Sequence, residues 1–288
     1  MQRKQIILIL LIFVLVGCSP VSSTPEQTSV ETIVAGTLQA LTPTVEPATA
    51  TPAGTTFTSN SISFVIPPNV ALSVKEESIE AVPPTEFVPW WEVHPAHQQY
   101  TLEGYVFPDT FHAPKIYLYP VADFVAMNES VAQGIESLKS IIATPNQTLP
   151  EELPFLPTFN AAQIFYSNVG TVNFQNGSGI RYITQFGQAP LPINNHEVFY
   201  TFQGITSDGL YYVSAILPIH ASFLAEYGSP EYPAPTDGIP FDWENWENID
   251  AHVRAVKDKL NAASPDAFSP SLLVFDSFIN SILVTGNP

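Results

Sequence analysis

The sequence predicts an α+β domain in which an antiparallel sheet, built as a meander, has helices packed on it. Four strand-like runs follow one another in the second half of the chain. The turn residues Asn176-Gly177 separate the first two runs, and Asp208-Gly209 separate the last two. Segments with helical periodicity finish the chain. Helices gathered at one end of an antiparallel sheet are typical of an α+β domain.

The strands are predicted from alternating apolar residues and from the prolines that flank them. Ile62, Phe64 and Ile66 mark a first strand, which Pro67-Pro68 ends. A second strand is expected over residues 71–82, forming a hairpin with the first, and a proline-rich loop follows at 83–97. The remaining strands are expected at residues 99–107, 115–121, 163–174, 179–186, 197–206 and 210–219.

Three helices are predicted from apolar stripes and from residues that suit helix ends. Asn128 is a good N-cap for the first helix, which Pro145 closes. The second stripe runs from Trp243 to Leu260, with acidic residues in its early turns and basic residues near its end, as the helix dipole favours. For the last helix, Ser269 is the expected N-cap and Pro270 the expected first residue.

The N-terminal segment has the pattern of an export signal. Arg3-Lys4 precede an apolar stretch from Ile6 to Val16. As a helix this stretch would span about 16 Å, well short of the roughly 30 Å of a bilayer core, so it suits a signal h-region better than a membrane span. The stretch ends in Leu15-Val16-Gly17-Cys18, which resembles the lipobox of bacterial lipoproteins. The alternative is an ordinary secretory signal with a chance cysteine.

This lipobox resemblance implies cleavage before Cys18 and attachment of lipid to its thiol. The expected organisation is a signal peptide at 1–17, a lipidated Cys18 with a disordered Thr/Pro/Ser-rich linker at 18–56, and a single α+β domain at 57–288. The linker contains no aromatic residue, and such a composition cannot bury enough apolar surface to offset chain entropy. The protein is therefore expected on the extracytoplasmic face of the cell membrane, held by its lipid anchor.

Charge and cysteine content narrow the classes of partner. The chain has 9 Lys and Arg against 27 Asp and Glu, a formal net charge of −18. Nucleic acid is excluded as an expected partner, because its binding depends on basic groups that displace counterions from phosphates. Cys18 is the only cysteine, so an intramolecular disulfide is impossible.

A search for chemistry-bearing motifs yields no catalytic residue and no cofactor. The chain has no Gly-x-Ser-x-Gly elbow, no phosphate-binding glycine-rich loop and no His-Glu-x-x-His. Glu92, His94, His97 and His112 are the nearest approach to a zinc ligand set. Pro95 between the first two histidines argues against a regular helix there. Solvated loop histidines are the preferred interpretation, and no metal is expected.

Three residues are the candidate ligand-binding groups. Trp90 and Trp91 are adjacent in the proline-rich loop, where they either fill a core edge or present a contact surface. Exposed aromatic rings of this kind stack on sugars or contact peptides. Arg181 is the only basic residue between Lys139 and Arg254 and lies on a predicted strand. It is expected either to pair with a buried acid or to contact an anionic ligand.

The body also resembles the Mog1/PsbP-like domains. The resemblance rests on the early strand Ser61-Ile62-Ser63-Phe64-Val65-Ile66-Pro67, on the meander, and on the closing segment Phe275-Asp276-Ser277-Phe278-Ile279-Asn280-Ser281-Ile282. It implies an antiparallel sheet packed with helices, in a family that occurs among exported bacterial lipoproteins. The family has no shared catalytic residues, and its roles are mostly binding or assembly.

The expected function is therefore that of a lipid-anchored, extracytoplasmic binding or assembly module with a protein or carbohydrate partner. The alternative is an exported hydrolase that acts on cell-wall or polysaccharide material. Acids or histidines that converge in one cleft would favour the hydrolase, whereas an aromatic surface would favour the binding module.

Overall fold

The computed structural model describes residues 54–144 and 147–286. The predicted signal peptide, Cys18 and nearly all of the predicted linker lie outside these residues. Within them the fold is α+β, as the sequence predicted. None of the helices in the described residues combines the length and the apolar character needed to cross a bilayer.

The central element is a seven-stranded sheet in which every neighbouring pair is antiparallel. Its last four strands form the predicted meander, and the strand order is β3-β4-β5-β9-β8-β7-β6. The turn between β6 and β7 consists of Gln175-Asn176, because Phe174 already pairs with Gly177. The strands are β3 (Ser73–Ile79), β4 (His97–Glu103), β5 (Lys115–Pro120), β6 (Ala162–Phe174), β7 (Gly177–Gly187), β8 (Phe199–Thr206) and β9 (Tyr211–Pro218).

Two small sheets join distant parts of the chain. In the first, β2 lies between β1 and β12, so both ends of the described chain meet on one strand. In the second, β10 pairs with β11. The bounds are β1 (Thr55–Thr58), β2 (Ile62–Ile66), β10 (His220–Ala221), β11 (Phe268–Ser269) and β12 (Leu283–Val284).

The predicted hairpin of the first two body strands is wrong. The strand at residues 62–66 pairs with β1 and β12, whereas β3 pairs with β4. Pro67-Pro68 and the positive φ of Asn69 (63°) turn the chain after β2. Every second residue of β2 is buried, and the Phe64 ring lies 5.4 Å from that of Phe278. Packing on the last helix therefore directs β2 away from β3.

Four helices occur in the described residues: α1 (Val121–Met127), α2 (Glu129–Ala143), α3 (Ile249–Ala262) and α4 (Leu272–Asn280). The Asn128 side chain caps α2 as predicted, accepting hydrogen bonds from the backbone of Ser130 and Val131. The short α1 was not predicted. The predicted start of α3 near Trp243 is too early, because only a 3-10 turn at Trp246–Asn248 precedes the helix.

The cap of the last helix also differs from the prediction. Ser269 pairs with His220 in the β10–β11 ladder and so cannot cap the helix. The side chain of Ser271 instead accepts a hydrogen bond from the backbone of Leu273 and caps α4. The helix therefore begins after Pro270 rather than at it.

The two faces of the large sheet support two separate hydrophobic clusters. One cluster joins the sheet to α3, α4 and the β1-β2-β12 sheet. The other joins the opposite face to α1, α2 and the segment 153–156. Buried residues alternate between these clusters along a strand: Ile183 belongs to the first, and Ile180 and Tyr182 belong to the second. The sheet is thus the middle layer of three.

Candidate functional site

A cavity of about 230 Å³ lies between α2 and the segment 152–163. It is on the sheet face that carries α2. Trp90 reaches it from the proline-rich loop, and Phe186 and Tyr212 reach it from the sheet. The cavity therefore brings together residues that are far apart in sequence.

Three phenylalanines form an aromatic wall in this cavity. The ring centroids of Phe155 and Phe186 are 4.5 Å apart, and Phe159 lies 5.0 Å from Phe155 and 5.2 Å from Phe186. Aromatic pairs at these separations stabilise one another beyond simple burial. Behind them, the His112 ring stacks on Phe159 at 5.2 Å with an interplanar angle of 7°. The wall is a continuous cluster rather than isolated side chains.

Hydrogen bonds from the sheet fix the segment that carries this wall. The backbone N–H of Leu156 donates to Gln203 Oε1 at 2.9 Å, and Gln203 Nε2 donates to the Leu156 carbonyl at 3.2 Å. Tyr182 donates its hydroxyl to the Pro154 carbonyl at 2.8 Å. The hydroxyl of Tyr212 donates to Gln203 Oε1 at 2.7 Å. Because these hydrogen bonds hold the segment on the sheet, the cavity is preorganised.

Gly134 forms part of the opposite wall, in the middle of α2. A Cβ added at this position would meet no atom within 4 Å. Glycine in a helix interior destabilises a protein by roughly 0.5–1 kcal/mol relative to alanine. Nothing packed nearby requires a glycine, and its effect is to leave the cavity wider on the helix side.

Glu152 and Tyr212 are the titratable residues among the described ones that line the cavity. Burial raises the pKa of Tyr212, so its phenol stays protonated at ordinary pH. Glu152 is exposed and supplies the single carboxylate. Hydrolysis of a glycosidic bond by the usual mechanism needs two carboxyl groups about 5–9.5 Å apart. The lining therefore suits binding rather than acid–base chemistry.

The structure separates the roles of Trp90 and Trp91. Trp90 is 53% exposed at the cavity, whereas Trp91 is half-buried with its ring centroid 5.9 Å from that of Trp90. The Trp90 carbonyl accepts a hydrogen bond from Asn128 Nδ2 at 3.0 Å, which ties the loop to the start of α2. The Trp91 carbonyl accepts one from Thr158 Oγ1 at 2.8 Å. Trp90 thus lies on a fixed backbone.

Arg181 does not join the two tryptophans. It reaches α4, on the other face of the sheet, where Nε lies 3.2 Å from Asp276 Oδ1. The Arg181 side chain also donates to the Asn168 carbonyl, and Tyr200 donates its hydroxyl to Asp276 Oδ1 at 3.0 Å. A Cβ on Gly170 would lie 3.1 Å from the guanidinium carbon. Two roles were expected for Arg181, a pair with an acid or contact with an anionic ligand. The structure shows the first, an ion pair with a carboxylate.

Replacing Arg181 with methionine is expected to destabilise the protein by about 1–3 kcal/mol. The side chains of Arg181 and Asp276 are only 17% and 21% exposed, so the variant leaves a carboxylate poorly solvated and without its cation. Thermal unfolding followed by circular dichroism measures the change. The double variant Arg181→Met, Asp276→Leu is the control and should recover part of the loss. Equal stability of wild type and Arg181→Met would contradict this role.

The candidate zinc residues are not assembled into a metal site. His94 and His97 have ring centroids 4.8 Å apart, but His112 stacks on Phe159. Across residues 54–144 and 147–286, no group of three or more His, Cys, Asp and Glu side chains is placed to hold a metal ion. His97 is buried rather than solvated, and burial lowers its pKa to about 4.

Sequence reasoning missed the phenylalanine wall and Gly134. Phe155 and Phe159 lie between the predicted first helix and the strand expected at residues 163–174, where no helix or strand was predicted. Two phenylalanines close to several prolines were the available signal. Gly134 interrupts an otherwise regular helical pattern in the sequence. A glycine inside a predicted helix is a signal that packing or function favours glycine at that position.

The chain was compared with protein-family models, curated proteins and solved structures. No family model, no curated protein and no solved structure matches it. The resemblance to Mog1/PsbP-like domains therefore stays a prediction.

Proposed function

We propose that this protein is a lipid-anchored, extracytoplasmic binding module that captures a protein partner through the cavity beneath Trp90. The observation that carries the proposal is a half-exposed tryptophan beside a preorganised aromatic cavity. Tryptophan is enriched among the residues that dominate binding energy at interfaces, where a partner buries it in a well-packed pocket.

The size of the cavity indicates what part of a partner it takes. Cavities that enclose a whole drug-sized ligand are about 300–1,000 Å³. This one is about 230 Å³, which suits one side chain or one ring of a larger ligand. Because the lining is mainly aliphatic and aromatic, an apolar side chain of an extended peptide segment fits its chemistry better than a hydroxyl-rich sugar ring.

The single carboxylate in the cavity favours this function over the alternative hydrolase. Glu152 has no second acid beside it among the described residues that line the cavity. The acidic chain, with a formal net charge of −18, also favours a neutral or basic partner surface over nucleic acid. The membrane anchor at Cys18 belongs to the same proposal and rests on the lipobox pattern.

Two variants at the cavity test the proposal. Gly134→Leu places a side chain in the open space at the helix wall and is expected to weaken peptide binding at least about tenfold. Gly134→Ala is its matched control, because a methyl group meets no neighbour. It should keep binding and raise the free energy of unfolding by roughly 0.5–1 kcal/mol. Trp90→Ala is expected to lose binding as well, and Phe87→Ala, at an exposed aromatic outside the cavity, is expected to keep it.

The binding measurement uses the full chain in detergent micelles. Peptides are selected on it from a phage-displayed random library and then titrated by tryptophan fluorescence, with chito- and cello-oligosaccharides as a second panel. Selected peptides that bind Gly134→Leu and Trp90→Ala as tightly as wild type would overturn the proposed site. Saturable binding of oligosaccharides in place of peptides would overturn the choice of a protein partner.

A further inference from the structure

A second cavity, of about 130 Å³, lies between α3 and the chain segment that follows β10. Two pairs of aromatic rings line it. The centroids of Tyr227 and Tyr232 are 4.6 Å apart, and those of Phe241 and Trp243 are 5.0 Å apart. Tyr232 is 44% exposed, so the aromatic lining reaches the surface. Several prolines complete the walls.

The segment around this cavity carries concentrated negative charge. Between residues 226 and 253 the sequence has acidic residues but no lysine or arginine. None of these acids forms an ion pair with a Lys, Arg or His of the described residues. The acids are Glu226, Glu231, Asp237, Asp242, Glu244, Glu247 and Asp250. Acidic residues therefore outnumber cations around this aromatic cavity, and the nearby cation is Lys259, which donates to the Asp237 carbonyl.

The cavity lining itself carries no positive charge. His252 is its one basic side chain, and burial lowers the pKa of that imidazole, which keeps it neutral near pH 7. A cation already contacts one of the walls: Lys259 Nζ lies 4.9 Å from the centroid of the Phe223 ring. Aromatic faces attract cations through their quadrupole, most strongly where water is excluded.

We propose that this cavity binds a quaternary ammonium group. Most wall side chains are aromatic, proline or aliphatic, and none of the described side chains that line the cavity is a carboxylate or an amide. A primary ammonium would need partners for its three N–H groups. A trimethylammonium group needs none, and it combines a positive charge with an apolar surface. Its charge complements the surrounding carboxylates, and its methyl groups contact the aromatic rings.

Choline is the probe, and 3,3-dimethyl-1-butanol, its uncharged carbon analogue, is the control ligand. Isothermal titration of the full chain in maltoside micelles should show saturable binding of choline and at least about tenfold weaker binding of the analogue. Choline affinity should also fall with added salt, because the carboxylates are exposed. Absence of saturable choline binding, or equal affinity for the uncharged analogue, would overturn the proposal.

Variants connect the binding to this cavity. Tyr232→Leu keeps an apolar side chain but removes the ring, and it should weaken choline binding about tenfold. Trp243→Leu gives a second, independent removal of a ring. Phe87→Leu makes the same type of change at an exposed site outside this cavity and should leave choline affinity unchanged. Circular dichroism verifies that each variant is folded, and folded ring variants that retain full affinity would place the site elsewhere.

The same titration distinguishes a soluble ligand from a lipid headgroup. Phosphatidylcholine mixed into the micelles presents the same trimethylammonium group on a lipid. A lower apparent affinity for free choline in these micelles assigns the site to the lipid headgroup. An unchanged affinity assigns it to a soluble ligand, and both results support the ammonium site.

Discussion

Replacing Cys18 with alanine is expected to abolish lipid labelling and to prevent stable attachment of the mature protein to the membrane. The lipobox resemblance makes the Cys18 thiol the acceptor of the lipid, and acyl chains contribute roughly 0.8 kcal/mol of membrane binding per buried methylene. Cys18 is also the only cysteine, so no second thiol can take over. Labelling with radioactive palmitate, followed by membrane fractionation, measures both effects.

Ser19→Ala is the matched control for this experiment. It changes a small polar residue next to the cysteine but leaves the thiol in place, so labelling should continue. An uncleaved, membrane-associated precursor of Cys18→Ala agrees with the prediction, provided that it carries no label. Palmitate incorporated into Cys18→Ala would show that the lipobox interpretation is wrong.

Acidification from pH 6.5 to pH 4 is expected to destabilise the folded body. Burial lowers the pKa of both His97 and His112 from 6.5 to about 4. These two imidazoles therefore take up protons in this interval in the unfolded chain but not in the folded protein. Their contribution to stability is fully present above pH 6.5 and is lost as the pH falls towards 4. Each imidazole contributes a slope of about 1 kcal/mol per pH unit.

His112→Phe tests this pH dependence. A phenyl ring can keep the stacking on Phe159, and the Nε2 atom that is lost has no hydrogen-bond partner. Urea unfolding at several pH values should show a shallower acid slope for His112→Phe and greater stability than wild type at pH 5. Identical slopes would contradict the assignment.

The meander and the first helix were predictable because their determinants are local. Asn176 and Asp208-Gly209 lie in the tight turns that join these strands, and alternation defines the strands themselves. Asn128 begins α2 as predicted, because an N-cap acts through hydrogen bonds to residues only two and three positions away. Signals of this range can be read from the sequence without knowledge of tertiary contacts.

The pairing of β2 could not be predicted from local signals. Its partner β12 has two residues, Leu283 and Val284, and lies at the other end of the described chain. Burial of Phe64 against Phe278 decides this pairing, and it requires α4 to be in place. The cap of α4 moves from Ser269 to Ser271 because Ser269 pairs with His220, another contact between distant parts of the chain.

One residue of the candidate site, Trp90, was named from the sequence. An adjacent tryptophan pair in a proline-rich loop indicated either a filled core edge or a contact surface, and Trp90 lies at a cavity. The cavity itself combines α2, a loop and a strand, so its phenylalanine wall follows from the assembled fold. An acidic partner was one of the two roles expected for Arg181, but the identity of Asp276 depends on how α4 lies on the sheet.

The point at which the chain enters the folded domain determines how that domain responds to a pulling force. A pull on the segment before Gly54 acts first on β1, an edge strand that pairs with β2 alone and is exposed except at the half-buried Phe57. Thr55 is at the open end of this hairpin, opposite Ile66, so its rungs would separate one after another. Releasing four residues lengthens the chain by about 14 Å. β2 stays held by β12 and by its buried side chains, so β1 yields under load before the core does.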